Sequence, residues 1–227
     1  MKNRIIFSLI FFAAVAILLD SCAPAYIPNV INTPLMSEQG DFQVNVNSAI
    51  SGFDPQVAYA ATDHLGFMAN GSFANRTSDT TDNFHKHHFI EFGSGYFTTI
   101  GTSGRFETFG GVGFGKVRAE YDNDIWQSRT DVNNLRIYIQ PSIGASSEYL
   151  DGSISTRFVL VNLYQGADNN TGFFAEPVLT GKVGFPYLKA VFQMGVSIPV
   201  NATSLDFNYQ PFLFSVGLQA NIGEFFK

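Results

Sequence analysis

Three of the four histidines stand together as His85, His87 and His88, with Asp79 and Asp82 just ahead of them. Neutral imidazoles beside carboxylates are a donor set for Zn, Cu or Ni. In an extended chain, however, His85 and His87 share a face and His88 points away. Two ligands do not close a metal site, so the pair ranks as a weak metal candidate, no cofactor is expected, and the simpler expectation is a polar strand end. The same histidines, with Asp79, Asp82, Asp122, Asp124 and Asp131, are the candidates for rim acid–base chemistry. Nothing in their spacing sets a base against a nucleophile, so no catalytic residue is assigned and the chain is not expected to be an enzyme. Trp126, the only tryptophan, sits in a polar connection, where an exposed ring could contact a partner or dip into an interface.

A second set of reactive types is spread along the chain: Glu91, Glu107, Arg136, Glu176, Lys182 and Lys189. Each falls on the polar parity of an alternating stretch, which in a strand means the face opposite the apolar one. Enclosed charges of both signs are costly unless paired, so they imply either an ion-paired plug or a charged constriction in a solute path. About ten strands leave little lumen, since open channels appear at ~16, and this favours the plug.

The elements that must carry these residues are strands. From Asp41 onward no helical period occurs and ten extended stretches follow one another. In the last, Phe212, Phe214, Val216, Leu218, Ala220 and Ile222 face one way, and Ser215, Gly217, Gln219 and Asn221 the other. The seventh, Ile154 to Tyr164, is apolar on both parities. In the fifth the phase slips after Gly115, implying a bulge there or a strand leaving the membrane. Connections at 75–86, 121–134, 164–172 and 199–207 are long, and those between them are short. That alternation puts long outer loops at one end and tight periplasmic turns at the other, and an even strand count returns both barrel termini to the periplasmic turn end, the side on which an N-terminal lipid is expected, in the inner leaflet.

The ends add addressing information. Lys2 and Arg4 precede an apolar run, Ile5 to Leu19, whose fifteen residues reach only ~22 Å as a helix, short of the ~30 Å hydrocarbon core. This is a signal peptide rather than a span. Leu19-Asp20-Ser21-Cys22 resembles a lipobox, the cleavage site of bacterial lipoproteins, although Asp20 is an unusual occupant. The resemblance implies that Cys22, the only cysteine, becomes the first mature residue and carries the lipid. Ala23 to Gly40, with Pro24, Pro28 and Pro34, reads as an extended tether between lipid and domain. Residues 1–21 are then signal peptide, 22–39 lipid-anchored tether and 40–227 barrel.

Two further stretches carry a resemblance to small bacterial outer-membrane β-barrels. One is Tyr59 to Met68, similar to a hairpin near the start of many of them. The other is the terminal strand, which there usually ends in an aromatic; here Phe226 is followed by Lys227. Small barrels include omptin proteases and lipid A acyl-modifying enzymes, and a rim-site enzyme or a narrow pore is accordingly the first alternative.

Composition agrees with membrane. Charged residues are 14% and aromatics 15%, with 24 Phe, whereas a soluble surface usually carries ~25–35% charged residues. Removing residues 1–21 takes Lys2, Arg4 and Asp20 and leaves 11 basic against 18 acidic residues, a formal −7. No basic footprint for nucleic acid remains. The structural rival is a soluble lipocalin-like periplasmic barrel with its apolar face inward around a lipid. Side-chain size opposes it, because the bulky residues crowd one face while Gly, Ser, Asn and Gln fill the other. The expectation is an all-β, up-and-down antiparallel transmembrane β-barrel of about ten strands (roughly 8–12) in the outer membrane. It is expected to be monomeric and lipid-anchored, with a structural or surface-binding role and an extracellular or envelope protein as possible partner.

Overall fold

A computed structural model describes residues 24–78, 82–122, 127–201 and 205–225. Ten strands follow in order: β1 Phe42–Ala49, β2 Phe53–Ala60, β3 Leu65–Thr77, β4 Phe84–Ile100, β5 Gly104–Asp122, β6 Gln127–Ser146, β7 Leu150–Gln165, β8 Asp168–Phe185, β9 Leu188–Val196 and β10 Phe212–Asn221. Ile198–Pro199 continues β9 in the same register against β8. Each strand pairs antiparallel with its sequence neighbour, and β10 pairs with β1 over Gln43↔Asn221 to Ala49↔Ser215. The sheet is therefore a closed, up-and-down, ten-stranded barrel, and closure leaves no free edge to template other chains. A short 3₁₀ turn, Ile222–Phe225, follows β10.

Period-2 alternation decides what each face carries. Outward stand Phe67, Phe92, Phe114, Ile137, Ile154, Phe192 and Phe214, each about half exposed or nearly so. Inward stand Asn45, Asn47, Gln56, Asn70, Gln140, Ser155, Gln193 and Gln219, all buried. The bulky apolar face is thus the outer one.

The inner face is not purely polar. Phe97, Phe109, Val159, Val161, Leu163 and Phe174 point inward and are buried with Tyr26, Met36 and Met68. This explains why β7 reads as apolar on both parities. Facing glycines leave room for the rings: a Cβ on Gly95 would fall 2.1 Å from the Thr108 carbonyl oxygen and 2.8 Å from a Phe109 ring carbon.

Two sequence expectations for the connections change. The β5–β6 register runs unbroken from Gly104↔Ala145 to Asp122↔Gln127, so Gly115 carries no bulge. Lys116 and Arg118 instead point outward and pair with Asp131 at 2.8 and 3.7 Å, while Val117 and Ala119 are buried inside. The strand leaves the apolar belt and keeps its pairing. Much of what reads as loop at 75–86 and 121–134 is likewise paired strand. Beyond the belt the outer face turns polar, so the apolar-outside alternation is lost although the hydrogen-bond ladder continues.

The largest correction concerns residues 24–39, which the sequence assigns to an external tether. Ala25 to Met36 are all buried, running through the middle of the barrel. At one end Ala25 lines a recess with Ser128, Asp131, Leu163, Asn169 and Phe207, among the long connections. At the other, Leu35 and Ser37 line a recess with Arg105, Ser147 and Pro186, among the tight turns. The segment enters at the loop end, descends the lumen and turns at Gly40 (φ 91°) into β1. Pro24, Pro28 and Pro34 suit it: each fixes an extended φ and has no N–H to satisfy.

Candidate functional site in the threaded lumen

An extended segment inside a barrel has no ladder to join, so its peptide groups need side-chain partners. The inward-pointing residues supply them, level by level. Nearest the loops, the Tyr26 hydroxyl donates to Glu176 Oε1 at 2.5 Å, and Arg136 Nη2 donates to the Ile27 carbonyl at 3.0 Å. Below, Val30 N–H donates to Asp54 Oδ2 at 2.8 Å and its carbonyl accepts from Gln56 at 2.7 Å. Ile31 N–H donates to Gln193 Oε1, and Gln193 Nε2 returns a bond to the Ile31 carbonyl, each at 2.8 Å. The glutamine amide thus stands in for the peptide of a neighbouring strand. Gln140 donates to the Asn32 carbonyl at 2.8 Å, Lys182 to the Thr33 carbonyl at 2.6 Å, and Met36 N–H to Glu107 at 2.8 Å.

The charges fall into two layers. In the loop-side layer Arg157 Nε and Nη2 both reach Glu176 Oε2 at 2.7 Å, and Arg157 Nη1 lies 3.4 Å from Glu91. Arg136 lies between the Tyr26 and Phe89 rings, with its guanidinium carbon 4.7 and 3.7 Å from their centroids. Asn29 joins the layer: it donates to Glu91 at 2.8 Å and accepts from Arg136 at 2.9 Å and Arg157 at 3.0 Å. In the turn-side layer Lys189 pairs with Asp151 at 2.7 Å, Lys182 also donates to Gln219 at 2.8 Å, and Glu107 holds Met36. Two acids and two bases make up each layer, and the buried Asp54, bonded by Val30 N–H and the Ser51 hydroxyl, adds one more carboxylate. Buried charge is tolerated in that form, paired and hydrogen-bonded.

All six charged residues singled out in the sequence are buried in this lumen. Sequence reasoning missed Arg157 and Asp151, on the strand whose double-sided apolarity hid its phase, and Asp54, next to the first turn. It also missed every residue of the thread, whose prolines and lack of period read as linker.

At the loop end β3 and β4 bring together a third array. His87 Nε2 lies 3.0 Å from Ser72 Oγ, and His87 Nδ1 lies 3.0 Å from His85 Nε2. The spacing is that of a nucleophile, base and orienting group. Proton placement in both contacts is set by the imidazole tautomers, so the distances alone do not make Ser72 a nucleophile. Ser72 and His87 are moreover 2% and 8% exposed. Burial, with Arg76 nearby, pushes the His85 imidazole down to about 4, and burial with the neighbouring His85 charge pushes His87 down to about 3. Both rings are neutral at ordinary pH. Just outside, the Lys116 ammonium bonded to Asp131 holds that carboxyl below its usual range.

His88 is exposed on the other face, as strand parity requires. Among the described residues no three His, Cys, Asp or Glu are grouped to hold a metal ion. Asp82 and Asp122 are exposed at the loop end. Cys22, Asp79, Asp124 and Trp126 lie outside the described residues, as do the signal segment and Phe226. No protein-family model matches this chain, and no curated protein is significantly similar to it.

Proposed function

We propose that this chain is an outer-membrane β-barrel lipoprotein, closed by its own N-terminal segment, whose role is structural or surface-binding through its loop end. The observation that carries the reading is the filled lumen. Ala25 to Met36 occupy it with their peptide groups bonded to the wall, which argues against a solute path and against an interior ligand. The belt of half-exposed Phe, Ile and Leu supports lipid outside, because a soluble surface rarely exposes so much contiguous apolar area. What remains for recognition is the loop end. There β3–β4 and β5–β6 project beyond the belt, and a polar recess of about 590 Å³ opens beside Ala25. An envelope or extracellular partner would meet that surface.

The test is twofold. The purified protein is expected to need detergent and to shift on SDS gels when boiled, and to be electrically silent in planar bilayers. Steady single-channel conductance would replace the closed-barrel reading with a pore. A rim enzyme is kept as a second reading only because Ser72, His87 and His85 align. Its test is labelling by a fluorophosphonate that is lost in Ser72→Ala; an unlabelled wild type removes it.

A further inference from the structure

The direction of the lumenal segment decides which end of the barrel displays the N-terminus. Ala25 and Tyr26 N–H both donate to the Asn208 carbonyl, at 2.9 and 3.2 Å, and Gln210 N–H donates to the Tyr26 carbonyl at 2.9 Å. Tyr26 thus forms a parallel bridge to Tyr209, in the long β9–β10 connection. At the far end Ser37 N–H and hydroxyl bond Asp41, and Gln39 N–H donates to Asp63 in the β2–β3 turn. Between these ends the contacts are not interchangeable. Tyr26 needs Glu176, Asn29 needs two arginines and a glutamate, Met36 N–H needs Glu107, and the Thr33 carbonyl needs Lys182.

Building on the membrane reading above, we propose that this segment is a non-strand crossing of the bilayer. It carries the mature N-terminus to the loop side, so that the lipid on Cys22 enters the loop-side leaflet. This reverses the arrangement read from the sequence, in which lipid and barrel termini share the turn side. Covalent geometry makes the difference large. Three Cα–Cα steps lead from Cys22 to Ala25, a reach of at most ~11 Å, against a hydrocarbon core of ~30 Å. Apolar outer surface also comes close to where the segment emerges. Ile198 and Val200, on and just beyond the end of β9, and Leu160 and Tyr164 on β7 are 50%, 58%, 44% and 41% exposed. Val200 N–H bonds the Phe173 carbonyl, one residue before the Phe174 ring that packs on Tyr26 at 4.6 Å. Apolar outer surface therefore reaches the level of Tyr26 on that side, and an acyl chain leaving the mouth has a short path over the rim into lipid.

The experiment uses the full-length chain in intact cells with a membrane-impermeant maleimide, and three single substitutions. Pro24→Cys reports the N-terminal mouth, Asp168→Cys the β7–β8 turn at the loop end, and Glu148→Cys the β6–β7 turn; the unsubstituted chain is the blank. Palmitate labelling of the wild type and of Cys22→Ser runs in parallel. Pro24→Cys is expected to label with Asp168→Cys on intact cells, and Glu148→Cys only after permeabilisation, with palmitate lost in Cys22→Ser. Labelling of Pro24→Cys only after permeabilisation, alongside Glu148→Cys, overturns the crossing while leaving the barrel reading intact. Equal labelling of Asp168→Cys and Glu148→Cys on intact cells overturns the membrane reading itself, and the crossing with it. Palmitate retained in Cys22→Ser, or absent from the wild type, overturns the lipid assignment.

Discussion

Arg157 and Glu176 hold the loop-side layer through two 2.7 Å contacts, with both side chains out of reach of water. Removing one partner leaves the other charged and buried, which typically costs about 3–5 kcal/mol. Arg157→Ala is therefore expected to lower the temperature at which the barrel unfolds on SDS gels, and Glu176→Gln similarly. The double variant should lose less than the sum, because no charge is left alone. Strict additivity would mean that the pair is not the unit that matters. His85 and His87 make a separate, pH-dependent contribution. Their imidazoles titrate near 4 and near 3 in the fold, against ~6.5 in an unfolded chain. As pH falls below about 6.5 the unfolded chain takes up protons that the folded one refuses, so stability declines through the window from 6.5 to 4. It continues to decline on account of His87 down to about 3. Unfolding midpoints of wild type and of His85→Gln/His87→Gln, measured across that range, should converge as pH drops. Parallel curves would show that the two rings are not held neutral.

Among the elements, the wall and the thread depend on each other. Gly95 on β4 has no room for a side chain, with Thr108 backbone oxygen 2.1 Å and Phe109 Cα 2.6 Å from where a Cβ would sit. Backbone atoms cannot turn aside as a flexible side chain can. Gly95→Val is thus expected to cost at or above the usual ~1–3 kcal/mol of overpacking, read as a smaller heat-modifiable fraction. Gly181→Ala, at a site with nothing within 4 Å, should leave that fraction unchanged. Deleting residues 24–36 strips Glu91, Glu107 and Lys182 of their thread partners. The expected result is a barrel that is either unstable or leaky in planar bilayers. A deletion variant as heat-stable and as silent as wild type would show that the thread does not hold the lumen.

Over the described residues, the outer face is bulky and apolar, two layers of opposed charges lie inside, and a proline-containing extended segment runs down the axis. The sequence by itself determined the strand count, the sidedness of the apolar residues and the enclosure of Glu91, Glu107, Arg136, Glu176, Lys182 and Lys189. Period-2 alternation is a local property, legible wherever one face is oily and the other wet. It failed where that contrast fails: on β7, whose inner face joins a hydrophobic core, and above the belt on β5, where Lys116 and Arg118 face outward and Val117 and Ala119 are buried inside. The thread was illegible for a different reason. Its residues make no ladder, so nothing local marks Asn29 as the partner of Glu91, Arg136 and Arg157, or Ile31 as the partner of Gln193. Those pairs lie far apart in the chain and meet only once the barrel has closed. Tertiary structure alone therefore decided that the lumen is filled, with what, and from which end.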